Sequence, residues 1–322
     1  MRLRAVVPFV SLALGLAACG SGAADQPSTA TTQTTALHST GTQSTGTEST
    51  PTVARTPRRV TKLLVVLEEN HGARSALAGM RYLRLEARIY GRAARYFALS
   101  HPSLPNYLSI AGGSTFGIQD DNNPQAHHLR GRSVFGQVLA SRRRAVTYAE
   151  SMTRRCQQFN AGPYAVRHNP WTYFVSAGER RGCLRHDIPA GSTARGPLHN
   201  AVRSGRLPAF GLLVPNVLHD AHSASLASAD TWLRHWLIQI KRGPDYRAGR
   251  LAILVTFDED GNHSSANQVL TVLITPSVRH VVVRRRLSHL ALSATVSRLV
   301  HRAPLRKAHR RPDILRAFGV PH

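Results

Sequence analysis

Lysine is nearly absent from this 322-residue chain: Lys62, Lys241 and Lys307 are the only three, although basic residues outnumber acidic ones 42 to 17. The charge of +25 is therefore almost all arginine, a skew that codon bias explains as readily as function does. No basic stretch is interleaved with aromatic side chains, and aromatics make up only 6% of residues. That excludes the pattern of a sequence-reading nucleic-acid binder, so no specific nucleic-acid partner is expected. What remains is a diffuse, salt-sensitive attraction to anionic surfaces and phosphorylated substrates. A long apolar run is also missing. The longest, Ala5–Ala18, is too short for a comfortable membrane span.

That run follows Arg2 and Arg4, the layout of a secretory signal, and ends in Leu16-Ala17-Ala18-Cys19. Small residues before a cysteine resemble the lipobox of bacterial lipoproteins, which implies cleavage after residue 18 and lipidation of Cys19. An extracytoplasmic protein held to the outer face of a bacterial membrane is expected. Residues 19–57, rich in Ser, Thr, Gly and Gln, cannot bury enough apolar surface to offset their ordering entropy and read as a tether. The folded domain is expected over 58–322. With Cys19 lipidated, two thiols remain, and Cys156 and Cys183 are expected to pair. Such a bridge closes a loop that the chain-entropy model values at roughly 3 kcal/mol.

The stretch that organises the domain is Leu251–Asp260. Residues 251–257 read as a strand covered on both faces, and Asp258, Glu259 and Asp260 fall at its carboxyl end. Ligands gather at that edge of open α/β sheets. Three adjacent acids repel, and a divalent cation bound by hard oxygen donors is the usual remedy; a solvated acidic turn is the plain alternative. A second strand, 63–67, also ends in Glu68-Glu69-Asn70-His71. A third, 207–216, is followed by His219, Asp220 and His222, a cluster suited to metal binding or general acid chemistry. A weaker strand is read at 144–148 and another strand at 269–274, with helices from Asp230 to Lys241, Leu290 to His301 and Pro312 to Phe318.

Between the first two tips lies His101-Pro102-Ser103-Leu104-Pro105-Asn106-Tyr107-Leu108. Two prolines stiffen the backbone around Ser103. A helix from Leu104 would leave Ser103 as its N-cap, or let it present a hydroxyl beside free amides that receive phosphoryl oxygens. The loop with Gly112, Gly113, Asp120 and Asp121 is expected to line the same site. His168, within His168-Asn169-Pro170-Trp171, is either a packed side chain or a phosphate ligand.

Taken in order, Glu-Glu-Asn-His at 68–71, the 101–108 segment, Val-Pro-Asn at 214–216 with His219-Asp220-Ala221-His222, and Thr-Phe-Asp-Glu-Asp at 256–260 resemble the bacterial phosphoesterase family. That family contains acid phosphatases and phospholipases C and is related to the alkaline phosphatase superfamily. The resemblance implies an α/β domain with a largely parallel central sheet, helices on both faces, and metal-dependent phosphoester hydrolysis. By position it makes Glu69, Asn70, Ser103, Asp258 and Glu259 ligands of a divalent metal ion of open identity and number, and Ser103 the nucleophile. His219, His222 and His289 would serve catalysis, though His289 lacks the aromatic neighbour usual in the family. His101, Asn106, His168 and Asp220 would contact substrate. A phosphomonoesterase acting as a monomer is the first expectation; a phospholipase C and a non-catalytic surface-binding lipoprotein are the alternatives.

Overall fold

The computed structural model describes residues 59–261 and 266–322. Everything read from residues 1–57, the signal, the Cys19 lipid site and the tether, lies outside the described residues.

Among the described residues there are ten strands: β1 Lys62–Glu68, β2 Gly91–Ala93, β3 Tyr96–Phe97, β4 Ala145–Ala149, β5 Asp187–Pro189, β6 Phe210–Val214, β7 Leu251–Phe257, β8 Thr271–Ile274, β9 Val281–Val283 and β10 Leu287–Ser288. Eight form one sheet in the order β5-β4-β6-β1-β7-β8-β2-β9, and β3 pairs with β10 in a small second sheet. The large sheet is parallel from β5 through β7; only β8 runs against its neighbours. Every residue of β4, β6, β7 and β8 is buried, which a sheet achieves only when both faces are covered. One cover pairs the helices Arg81–Ile89 and Leu226–Arg242; the other joins Ser103–Gly112, Val134–Ala140, Ala177–His186 and His289–Leu299. No helix among the described residues is long and apolar enough to cross a membrane.

β6, β1 and β7 are adjacent and parallel, with Val66 opposite Leu213 and Glu68 opposite Phe257. Their carboxyl ends therefore open side by side. This register, more than any single motif, brings the acids of 68–69, the 216–222 turn and 258–260 to one place.

Several local readings shift. The helix after the proline turn starts at Ser103, with Pro102 in the capping position, so Ser103 is its first residue and not its cap. The amide of Leu104 is already taken by Asp121 Oδ1 at 2.8 Å, so it is not free for a phosphoryl oxygen. The helix expected from Asp230 begins at Leu226 under a Ser225 cap. Asp230 does cap a helix, but a different one: its two oxygens accept from the amides of Tyr82 (2.7 Å) and Leu83 (2.9 Å). Sequence spacing reveals a capping side chain and not which helix end comes within its reach. Cys156 and Cys183 form the expected disulfide, with Cα atoms 5.3 Å apart.

Candidate active site

The centre of the site is the fully buried Glu69, just beyond the end of β1. Its Oε2 accepts the Ser103 hydroxyl at 3.0 Å, and its Oε1 accepts the Tyr107 hydroxyl at 2.5 Å. Ser103 and Tyr107 are four apart on one helix, so they share a face and reach one carboxylate together. The His168 ring lies 5.2 Å from the Tyr107 ring in a stacked arrangement. Its Nε2 is 3.3 Å from Glu69 Oε1 and its Nδ1 3.3 Å from Asp220 Oδ2. A continuous polar chain thus runs Ser103, Glu69, His168, Asp220, with all four buried.

The acids of the second tip close over this chain. Asp258 Oδ1 accepts the amide of Asn70 at 3.0 Å. Asn70 takes φ 54°, a left-handed conformation that Asn tolerates better than most residues. Gly261 is needed opposite it, because a Cβ there would sit 2.2 Å from the Asn70 carbonyl oxygen. Glu259 Oε2 is 2.9 Å from His101 Nδ1, and Asp260 Oδ1 is 3.7 Å from His101 Nε2.

Burial dominates the electrostatics. It raises the Glu69 carboxyl well above its ordinary range, with the Asp258 and Asp220 charges adding to the effect. Asp258 is pushed up to about 7, chiefly by burial, against the opposing pull of the amide it accepts from Asn70. Glu259 is pushed up to about 9 by burial and then by Asp258, Asp121 and Asp260. Burial, helped by Arg167 and His222, holds His168 well below its usual value and so neutral. Its two contacts with Glu69 and Asp220 are close approaches only: neither ring nitrogen, nor Asp220 Oδ2, makes a hydrogen bond.

Not every expected residue converges. His219 turns away: its Nδ1 lies 3.0 Å from both oxygens of Glu150, and its ring stacks near Trp232. His222 is at the rim, with Nε2 3.1 Å from Arg167 Nη2. His289 is fully buried under the site: Nε2 donates to the Asp258 carbonyl at 2.6 Å, and Nδ1 accepts from the Tyr96 hydroxyl at 3.2 Å. With both ring nitrogens engaged it positions Asp258. Burial lowers it to about 4, which keeps it a neutral donor. Asn106 clips the proline turn, accepting from the amides of Leu99 and Ser100 and donating to the Ser100 carbonyl. Its only approach to the acids is Nδ2 to Glu259 Oε2 at 3.4 Å.

Two contributors escaped the sequence reading. Tyr107 carried a signal in its spacing from Ser103. Arg167 stood beside His168 in a chain full of arginine, where nothing marked it; it lies against His222 and Asp121, its Nε 3.5 Å from Asp121 Oδ2.

The donor types suit a hard divalent cation, although Glu69, Asp258 and Glu259 do not all bring ligand oxygens within 4.8 Å of one another. Glu69, Asn70, Ser103, Asp258 and Glu259 offer oxygen donors, and Asp258 Oδ2 is buried without a hydrogen-bond partner. Elsewhere, Cys156, Cys183 and Asp187 cluster closely, but the two sulfurs are bonded to each other and are not thiolate ligands.

The centre is thus a buried serine hydrogen-bonded to a carboxylate at the tips of a parallel sheet, among further buried acids. The Phosphoesterase family pattern matches residues 80–296, and the chain belongs to that family. It is 30% identical over 188 residues to an acid phosphatase of Aspergillus fumigatus, covering 56% of this chain and 40% of that protein. It is 26% identical over 244 residues to the phosphatidylinositol-3-phosphatase of Mycobacterium tuberculosis, covering 74% and 76%. The chain thus spans less than half the length of the fungal relative. Among solved structures, the lipoteichoic acid synthase LtaP of Listeria monocytogenes shares the fold at TM-score 0.52 and 9% identity, over 78% of this chain and 76% of that one.

Proposed function

We propose that the protein is a metal-dependent phosphoric monoester hydrolase that uses Ser103 as its nucleophile. The observation that carries this is the Ser103 hydroxyl, buried and donating to Glu69 Oε2 at 3.0 Å. Family membership and the names of the relatives, acid phosphatase and phosphatidylinositol-3-phosphatase, support the reaction class.

In this reading Ser103 Oγ attacks phosphorus in line and its proton passes to Glu69 Oε2. His168 lies between Glu69 and Asp220, 3.3 Å from each. The P–O bond to the leaving group breaks as the Oγ–P bond forms, and the departing oxygen takes a proton from solvent, because His222 Nε2 accepts from Arg167 and burial holds that ring below its usual value. Arg167, beside His222, steers the phosphoryl oxygens. Water then cleaves the phosphoserine by the reverse use of the same groups. Glu69, Asn70, Ser103, Asp258 and Glu259 would hold the cation, which lowers the hydroxyl's pKa and neutralises developing charge when bound.

A second reading, a lipid or otherwise bulky leaving group, is favoured by a groove of about 620 Å³ beside Asp260, walled by Ala73, Leu77 and Leu270 with Arg74 and Arg92. Export and lipidation at Cys19 belong to the proposal too; the Cys156–Cys183 disulfide suits an oxidising compartment. Replacing Cys19 by Ala should release the protein from the membrane fraction.

The deciding experiment measures turnover of a chromogenic phosphomonoester, a phosphodiester and a phosphorylated lipid across divalent metals, beside Ser103→Ala. Metal-dependent monoester turnover that Ser103→Ala abolishes supports the proposal. Turnover surviving in Ser103→Ala refutes the nucleophile, and a preference for the diester refutes the monoesterase assignment.

A further inference from the structure

Far from the serine site, four arginines surround one cavity of about 290 Å³: Arg285, Arg298, Arg311 and Arg316, with Pro312 and Asp313 completing most of the wall. They come from three parts of the chain. Arg285 lies between β9 and β10, Arg298 on the last turn of the helix His289–Leu299, and the other two on the C-terminal segment. That segment is docked on the helix by the Ile314 amide, which donates to Thr295 Oγ1 at 2.8 Å. Arg298 is nine residues beyond His289, about 14 Å along a helix, so the cavity lies well away from the acid cluster.

Among the described residues, none of the four guanidinium groups has an ion-pair partner, and Arg298 Nη1 is buried without any hydrogen bond. The one acid in the lining is already engaged. Asp313 Oδ1 accepts the Arg316 amide at 3.2 Å, and Oδ2 is 2.9 Å from His322 Nε2. A cation on the last turn of a helix is ordinary, since it complements the helix dipole, and that would account for Arg298 alone. It does not account for three more arginines, from two other segments, around the same cavity.

We infer that this cavity is a binding site for a phosphate-type oxyanion carrying two or more charges. Planar guanidinium forks match tetrahedral oxyanions two oxygens at a time, and the cavity holds repelling positive charge that such an anion neutralises. The inference rests on this charge arrangement and not on the assignment of the serine site. The anion is either free in solution, as inorganic phosphate or pyrophosphate, or the phosphate of a lipid headgroup. The chain enters the domain at the same corner, where the Val60 amide donates to the Pro321 carbonyl at 2.9 Å and Arg59 Nη2 to the His322 carbonyl at 2.6 Å.

The test uses the full chain and an Arg298→Gln/Arg316→Gln double variant, with Arg311→Gln/Arg316→Gln, both at exposed positions, as a second variant should the first fail to fold. Calorimetric titration with pyrophosphate should give at least one binding event that weakens tenfold or more in the variant and falls steeply with salt. Chromogenic-ester turnover should stay unchanged. Equal stoichiometry and affinity in both proteins would overturn the inference. Flotation with phosphatidylcholine vesicles, with and without phosphatidylglycerol, separates the sources. A phosphatidylglycerol-dependent gain in binding that the variant loses identifies a headgroup site. Loss of pyrophosphate binding alone identifies a site for the free anion.

Discussion

Removing metal should make this protein's stability fall as pH rises, and Asp258 sets the size of the effect. Its carboxyl is fully buried and titrates near 7 in the fold, against an ordinary value of 3.8. The folded state therefore holds this proton more tightly than the unfolded chain does. The associated stability is fully present below about pH 4 and is lost as pH rises through about 7. A difference of roughly three pH units corresponds to about 4 kcal/mol for this one group. For a domain of this size, that is on the order of 10 °C in Tm. Histidine and net-charge effects act over the same range, so the informative quantity is the difference between the chelated wild type and chelated Asp258→Asn. The wild type should lose stability relative to the variant between pH 5 and 8, read by thermal denaturation. A divalent cation at pH 8 should restore the wild type and leave the variant nearly unchanged. A difference that stays flat, or that grows in favour of the wild type as pH rises, would refute both the buried-carboxylate argument and the cation assignment. So would a Tm at pH 8 that responds to no divalent ion.

Arg167→Ala should raise KM for a phosphomonoester about tenfold or more and weaken inhibition by inorganic phosphate, with Arg167→Lys recovering part of both; steady-state kinetics with phosphate as inhibitor will tell. His289→Leu should lower divalent-cation affinity roughly tenfold without removing any cation ligand, because it loses the donor that fixes the Asp258 carbonyl; metal titration followed by Tm checks this. The double variant Cys156→Ser/Cys183→Ser should lose about 3 kcal/mol in chemical denaturation, from a closed loop of 27 residues. Asp187→Asn should gain stability relative to wild type as pH rises through about 7, because burial lifts the Asp187 carboxyl to that value in the fold; paired melting curves from pH 5 to 8 measure it.

Much of the site was legible in the chain because strands announce their tips. A buried parallel strand is a run of apolar residues, so the polar residues that end it stand out. Thus 251–257, read from apolar character alone, is β7 to the residue, and Glu69, Asp258 and Glu259 could be nominated before any fold was known. The proline turn similarly marked Ser103. The cysteine pair followed from the expectation that Cys19 is lipidated outside the cytoplasm, which left one partner for each of the other two.

What the sequence could not supply was direction. His219, Asp220 and His222 fall within four consecutive positions and look alike in a string, yet Asp220 points toward His168, His219 pairs with Glu150 at 3.0 Å, and His222 meets Arg167 at the rim. The turn carries Ala221 at φ 77°, a conformation that no residue pattern there foretold. His289 was read as catalytic because it is a histidine near a helix start; only its neighbours, the Asp258 carbonyl and the Tyr96 hydroxyl, make it a support. Arg167 was hidden by abundance. Local chemistry is written residue by residue, and hence sequence alone determined which groups this protein owns and, for 251–257, where a strand stops. Which groups face one another depends on register across β6, β1 and β7 and on side-chain direction within turns, and those are long-range contacts that only the tertiary structure decides.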